Sequence, residues 1–212
     1  MRAVIPFDAR DPKRRLRPVL DPGERAAFAR AMLRDVLDAI AETDLEPTVL
    51  ATEPIPSLPA PVRVDERPLD AVVNDAIDEG TPLAVIMADL PLVDPGTLDR
   101  LQATAGDVVL APGRGGGTNA MLVRDSGFAA DYHGTSIRDH RAIARDRGLS
   151  VGEADSFRLG VDVDEPADLI EVLLHGGEHS RAWLAEVGFR IETPDGRATV
   201  SRDGENERRP SR

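Results

Sequence analysis

The chain has 212 residues, 41% of them hydrophobic but only 3% aromatic, and its 38 acidic side chains against 26 Lys plus Arg leave a formal net charge of −12. That length suits one well-buried domain, and the absence of cysteine excludes disulfides, thiolate zinc sites and cysteine nucleophiles and leans toward a cytoplasmic protein. The acidic balance argues against nucleic acid, and no apolar run approaches membrane-spanning length or a secretory signal.

Ala3–Phe7 reads as a first strand. The basic loop that follows, Asp11-Pro-Lys-Arg-Arg-Leu16, holds the only lysine of the chain, Lys13. A strand, a basic loop and then a helix is the usual first phosphate-binding unit of α/β nucleotide enzymes, so Lys13, Arg14 and Arg15 are candidates for phosphate contacts. A solvated loop with incidental charge is the plainer alternative. Asp21-Pro22-Gly23-Glu24 forms a capping box with proline at the first helical position. The helix it opens runs toward Ile40, with Phe28, Met32, Val36 and Ile40 on one face.

Strands are predicted at Thr48–Ala51 and Val62–Val64, joined by a proline-rich connector, Pro54–Pro61. A helix over Leu69–Glu79 carries Asn74. The continuously apolar run Leu83–Met87 has the character of a buried parallel strand and delivers Asp89 to its end. A helix begins at the cap Asp94-Pro95, and strands at Val108–Ala111 and Ala120–Val123 flank a glycine run. Ser136 is placed as the cap of a helix through Arg147. A strand is predicted at Val161–Val163, and Pro166 opens a helix to Leu174. Beyond His175 come a helix at Ser180–Val187 and a hairpin of Phe189–Glu192 with Ala198–Ser201 around Pro194-Asp-Gly196.

This βα alternation implies a three-layer α/β/α domain with a mostly parallel, mixed sheet over residues 1–201, in which 176–201 are a C-terminal helix and hairpin extension. Residues 202–212, charged and free of large apolar side chains, are expected to be a disordered tail. The extra helix and hairpin are the segment on which a homodimer is expected. The acidic, lysine-poor, low-aromatic composition suits solubility in concentrated salt; a GC-rich codon bias would also favour Arg over Lys.

Two features carry chemistry. Ala111–Arg124 contains Gly113-Arg-Gly-Gly-Gly-Thr-Asn119, where residues without Cβ let backbone N–H groups approach an oxyanion, with Arg114 and Thr118 as further donors. A flexible hairpin loop is the competing interpretation. Carboxylates at two separated strand ends, Asp89 and the pair Asp162 and Asp164, add the hard oxygen donors of a Mg²⁺ site beside phosphates. No His/Cys spacing supports zinc, so His133, His140, His175 and His179 are not expected to be metal ligands. Asn74 is either a wall for the base or a local packing residue.

Met1-Arg-Ala-Val-Ile-Pro-Phe7, Met32-Leu-Arg-Asp-Val-Leu37, Met87-Ala-Asp-Leu-Pro-Leu92, Pro112-Gly-Arg-Gly-Gly-Gly-Thr-Asn119, Tyr132-His-Gly-Thr-Ser136 with His140, and Asp162-Val-Asp-Glu-Pro-Ala-Asp-Leu169 together resemble the 2-phospho-L-lactate guanylyltransferases of coenzyme F420 biosynthesis. The likeness spans residues 1 to about 175, and its Asp-Leu-Pro element is shared with the wider nucleotidyltransferase superfamily.

The resemblance implies a GT-A-like nucleotidyltransferase fold and the reaction of GTP with 2-phospho-L-lactate to give lactyl-2-diphospho-5′-guanosine and pyrophosphate. It implies Mg²⁺ at Asp89, Asp162 and Asp164; from the chemistry of a pyrophosphate leaving group, Lys13 and Arg15 are expected to join Asp89 and Asp164 in catalysis. Apart from the resemblance, position along the chain suggests the nucleotide against Pro6, Phe7, Lys13, Arg15 and Asn74. The small phosphorylated carboxylic acid would meet Arg114, Gly116, Gly117, Thr118, Asn119, His133, Gly134 and Ser136. Within that set Thr118 and Ser136 match the hydroxyls that contact the acceptor. One departure stands out: His133, with Gly134 beside it, occupies a place where relatives commonly have glycine. Other acceptors (phosphoenolpyruvate, 3-phosphoglycerate, molybdopterin or a sugar phosphate) and a non-catalytic nucleotide binder are the alternatives.

Overall fold

The structure, a computed structural model, describes residues 1–194 and 196–203. In chain order, β1 (Arg2–Phe7) leads through a 3-10 turn (Arg14–Leu16) to α1 (Pro22–Ala41), β2 (Glu46–Ala51), β3 (Val62–Val64), α2 (Leu69–Asp78) and β4 (Leu83–Ile86). Then come α3 (Pro95–Ala103), β5 (Val108–Pro112), β6 (Thr118–Val123), α4 (Ser136–Asp146), β7 (Val151–Glu153) and α5 (Phe157–Gly160). A second 3-10 turn (Pro166–Asp168), α6 (Leu169–His175), α7 (Glu178–Glu186), β8 (Phe189–Glu192) and β9 (Thr199–Arg202) close the described chain.

Seven strands form one sheet in the order β3-β2-β1-β4-β6-β5-β7, while β8 and β9 make a separate hairpin. Only β6 runs against its neighbours β4 and β5; the other pairings in the large sheet are parallel. Strand alternation sorts side chains into two cores. Ala3, Ile5, Ala84, Ile86, Val109 and Leu122 face a layer containing α1, α6 and α7, whereas Val4, Leu83, Val85, Leu110 and Met121 face α2 and α4.

The entry to α1 is as its sequence requires. Asp21 accepts from Glu24 N (2.8 Å), Glu24 accepts from Asp21 N (2.9 Å), and Pro22 takes the first helical position. Phe28, Met32, Val36 and Ile40 are all fully buried. The C-terminal extension packs onto the same helix: Trp183 stacks on Phe28 with ring centroids 5.3 Å apart. Asp35, a buried carboxylate of α1, accepts from His179 N and Ser180 N at the start of α7 (2.8 and 2.9 Å).

Three expectations change. Val161–Val163 is not a strand. Val161 and Val163 are fully buried, but the free edge of β5 is occupied by β7, so they fill the core as irregular chain beneath the site. That edge strand was not foreseen, because Val151–Glu153 is short, largely exposed and lacks an apolar alternation. Ser136 is not a cap. It is the first residue of α4, after Thr135, and its hydroxyl turns inward to Thr118 Oγ1 instead. In addition, β9 runs through Arg202, whose guanidinium pairs with Glu24 and stands 5.0 Å over the Phe189 ring, so the ordered chain passes the expected boundary at 201. Asp195 of the hairpin turn and residues 204–212 of the expected tail lie outside the described residues.

Candidate active site

The carboxyl ends of β1 and β4, the glycine loop and the acidic turn after α5 meet at one edge of the sheet. This edge is where open α/β sheets bind ligands. Asp89 lies just beyond β4, and its carbonyl accepts from Val163 N (3.2 Å), which ties the acidic turn to the strand end. Asp164 is held in that turn by the Asp168 carboxylate, which accepts from Asp164 N and Glu165 N (3.0 and 2.8 Å).

Between Asp89 and Asp164 sits the ammonium of Lys13. It donates to Asp89 Oδ2 and, at 2.9 Å, to Asp164 Oδ1, and only 10% of the lysine side chain is exposed. Burial alone would lower the lysine pKa, but the two carboxylates more than offset it and the net shift is upward. Arg15 adds a contact to Asp164 Oδ2 at 3.1 Å. Lys13 is held in the left-handed region (φ 54°, ψ 46°) by a loop anchored from below. The buried Arg25 of α1 donates to Asp11 Oδ1 (2.6 Å) and to Pro12 O (3.1 Å).

Asp162 is the third carboxylate. Its pKa is raised, first by burial and then by the charges of Asp89 and Asp164, while a hydrogen bond from Asn119 opposes the shift. Asn119 is buried and donates to Leu159 O (2.8 Å) and Asp162 Oδ1 (3.1 Å). The glycine loop is shaped around this amide. A Cβ on Gly113 would lie 2.3 Å from Asn119 Oδ1, and Gly116 adopts φ +83°. The N–H groups of Gly113, Arg114 and Gly116 bond to Gly117 O, Gly160 O and Gly113 O, so within the loop Gly115 and Gly117 keep theirs unpartnered among the described residues.

Beside Lys13 a cavity of about 290 Å³ opens beneath the basic loop. Pro6, Phe7, Met32, Met87 and Ala88 supply its apolar wall, and Asp8, Lys13, Arg14 and Asp89 its polar side. This volume accepts a nucleobase or a small phosphorylated acid, with cations and carboxylates at one end.

A family model described as guanylyl transferase CofC like matches residues 1–203. The chain belongs to this family. It is 60% identical over 205 residues to the 2-phospho-L-lactate guanylyltransferase of Halomicrobium mukohataei, covering 95% of this chain and 100% of that one. To the enzyme of the same name from Natronomonas pharaonis it is 56% identical over 204 residues, covering 96% and 100%. Among solved structures, one described as a nucleotide-diphospho-sugar transferase from Desulfovibrio desulfuricans G20 superposes with a TM-score of 0.66 at 18% identity, over 87% of this chain and 94% of that one. CMP:2-keto-3-deoxy-manno-octonic acid synthetase complexed with CTP does so at 0.54 and 13% identity, over 87% and 98%. At such identities the likeness shows the fold, a mixed, mostly parallel sheet of the nucleotidyltransferase kind.

In this member of the guanylyl transferase family, Lys13, Arg15, Asp89, Asp162, Asp164 and Asn119 come together, with Pro6 and Phe7 in the adjoining cavity. Thr118 and Ser136 also meet, Oγ to Oγ at 3.3 Å, but both are buried. Arg114 reaches Asp168 (2.9 Å) and so links the glycine loop to the acidic turn. Asn74 is absent from the lining of the cavity. Its amide bridges to Ala130 O and Ala130 N (3.0 and 2.7 Å), a strut between α2 and the segment before α4. His133 is exposed, and with Asp70 and Asp131 it forms a set of potential ligand atoms all within 4.8 Å of one another. The pKa of His133 is raised, chiefly by its hydrogen bond to Asp131.

Sequence reasoning missed Asp168, Arg25 and His140 as organisers of the site. Arg25 lies in the first turn of α1, and its partners Asp11 and Pro12 are in the loop 14 and 13 residues earlier, a distance at which no local pattern points to the pairing. Asp168 accepts from backbone only three and four residues before it, a capping arrangement visible in the local spacing, whereas Arg114 and the partners of His140 are not adjacent in the chain.

Proposed function

We propose that this chain transfers GMP from GTP to 2-phospho-L-lactate, releasing lactyl-2-diphospho-5′-guanosine and pyrophosphate. The observation that carries the reading is the convergence of Asp89, at the end of β4, and Asp164, in the acidic turn, on the ammonium of the only lysine, with Asp162 beside them and a cavity adjoining. The donor set suits Mg²⁺ in chemistry: the carboxylates are hard oxygen donors, the charges of Asp89 and Asp164 help to raise the proton affinity of Asp162, and a cation already bridges Asp89 and Asp164. Mg²⁺ held by Asp89, Asp162 and Asp164 would supply charge neutralisation to the phosphate oxygens.

The acceptor phosphate is ionised near neutral pH and needs no general base, so the protein's work is alignment and charge stabilisation. Lys13 and Arg15 stand where they can turn from the carboxylates to the triphosphate and stabilise the departing pyrophosphate. The apolar wall of Pro6, Phe7 and Met87 shields the nucleotide from water. The acceptor end is assigned to Thr118 and Ser136, which lie buried beneath the glycine loop, and to the amides of Gly115 and Gly117, unpartnered among the described residues.

The test is a panel of the four nucleoside triphosphates against phospholactate, phosphoenolpyruvate and 3-phosphoglycerate, scored by pyrophosphate release. Turnover highest with GTP and phospholactate is expected; preference for another acceptor would replace the substrate assignment. The same reading includes a homodimer, read by light scattering, and a protein adapted to concentrated salt, consistent with its halophilic relatives. Among the described residues no helix is long and apolar enough to cross a membrane.

A further inference from the structure

Beneath the glycine loop, a chain of hydrogen bonds runs from the backbone of Asp131 to the Thr118–Ser136 pair. Asp131 N donates to His140 Nε2 (2.9 Å), His140 Nδ1 lies 2.8 Å from Thr118 Oγ1, and Ser136 Oγ lies 3.3 Å from the same oxygen. The imidazole is completely buried, walled by Phe128 and by Tyr132, whose ring meets it edge-on at 5.0 Å.

The accounting of hydrogens in this chain has one solution. A backbone N–H can only donate, so His140 Nε2 carries the lone pair, and in a neutral imidazole the proton then resides on Nδ1. Thr118 Oγ1 therefore accepts from His140. The two hydroxyls bring two hydrogens between them; their mutual contact uses one, and the imidazole accepts none. One hydroxyl hydrogen is left over with no acceptor among the described residues. In the opposite tautomer Nδ1 would accept it, and the pair would offer nothing to an anion.

We propose that His140 is a positioning residue whose fixed tautomer makes the Thr118–Ser136 hydroxyl pair a hydrogen-bond donor for an oxyanion of the acceptor. The inference rests on the reading of those hydroxyls as acceptor contacts. His140 cannot touch the acceptor itself, because no part of it is exposed, so its effect passes through Thr118.

The test compares His140→Asn, His140→Gln, Thr118→Val and the Thr118→Val/His140→Gln double variant. Asparagine places an amide nitrogen where Nδ1 stands and can still donate to Thr118. Glutamine reaches the Nε2 position and satisfies Asp131 N, but leaves Thr118 without its donor. The readouts are kcat/KM for the phosphorylated acid at saturating GTP, the GTP Kd and the ligand-free Tm. Losing a hydrogen bond to a charged group implies a fall of about tenfold or more in kcat/KM for Thr118→Val and for His140→Gln. His140→Asn should stay within about threefold of wild type. GTP affinity should hold throughout, and the double variant should be no worse than either single one.

Equal activity of the Asn and Gln variants, or a double variant that multiplies the two losses, would overturn the role of His140. An unchanged Thr118→Val would instead remove the acceptor contact itself, and the inference with it. Nitrogen-15 NMR of the wild-type imidazole checks the tautomer without any substitution: a proton on Nδ1 is expected, and a proton on Nε2 would refute the proposal even if a variant failed to fold.

Discussion

Replacing Lys13 with methionine keeps the length and apolar stem of the side chain and removes only the ammonium that bridges Asp89 and Asp164. Both residues carry the same strain at φ 54°, so the comparison isolates the charge. Asp89 and Asp164 side chains are 26% and 38% exposed. Breaking a fully buried pair costs about 3–5 kcal/mol and an exposed one about 0–1, which puts the loss here at roughly 1–3 kcal/mol. For a domain of this size that is a fall of roughly 2–12 °C in Tm. Without the ammonium the three carboxylates repel, and a divalent cation becomes their natural counter-charge. Mg²⁺ at about a hundred times its Kd would return about 2.7 kcal/mol.

The assay is calorimetric melting of both proteins in chelator and in excess Mg²⁺, at matched ionic strength. The variant is expected to melt lower in chelator and to recover most of the deficit with Mg²⁺, while the wild type gains less. A deficit that Mg²⁺ does not narrow would refute the placement of the metal among these carboxylates. A variant as stable as wild type in chelator would show that the lysine bridge contributes nothing.

Asp89→Asn and Asp164→Asn should each remove most turnover and weaken Mn²⁺ binding with the fold intact, because each replaces a hard anionic ligand by a weak neutral one. Asp162→Asn should cost less, since one of its oxygens already accepts from Asn119; equal losses at all three positions would give Asp162 the same standing as the others. Gly113→Ala drives a methyl to 2.3 Å from Asn119 Oδ1, so both Tm and turnover should fall, and wild-type values for both would show that Asn119 does not organise the loop. Burial holds the His140 pKa down to about 4. An unfolded histidine titrates near 6.5, so the unfolded chain binds the extra proton between those values, and stability should fall by about 1.4 kcal/mol per unit as pH drops from about 6.5 toward 4. The raised pKa values of Asp35 and Asp162 act in the opposite sense. The measurement is therefore the difference in slope between wild type and His140→Asn, and identical slopes would contradict a neutral buried imidazole.

Elements with a local physical signature were legible in the sequence. The capping box of α1 and its Phe28–Ile40 stripe, the apolar run of β4, and the caps Asp21 and Asp94 are all specified by residues within a few positions of one another. Where sequence reasoning failed, the deciding partner was remote. Val161–Val163 has the composition of a strand, but a strand needs an open edge, and β7 had taken the only one beside β5. Ser136 has the chemistry of a cap, yet its hydroxyl found a better acceptor 18 residues away in Thr118.

The site shows the same division. Position directly after apolar stretches pointed to Asp89, Asp162 and Asp164 as candidates; the structure brings them to one edge of the sheet, although only Asp89 follows a strand. The sequence does not say that the lysine waits between those carboxylates, or that the amide of Asn119 faces inward to Asp162 while its loop faces out. The glycine run illustrates why. Its composition suggested backbone amides offered to an anion, yet three of those amides close the loop on itself and on Gly160, and Gly113 is required by the Asn119 side chain it covers. Glycine here buys close packing as much as ligand access, and within the loop only the amides of Gly115 and Gly117 are unpartnered among the described residues. On the proposed reading, an anion at this loop would draw most of its hydrogen bonds from side chains, which is what makes the orientation of the Thr118–Ser136 hydroxyls worth testing.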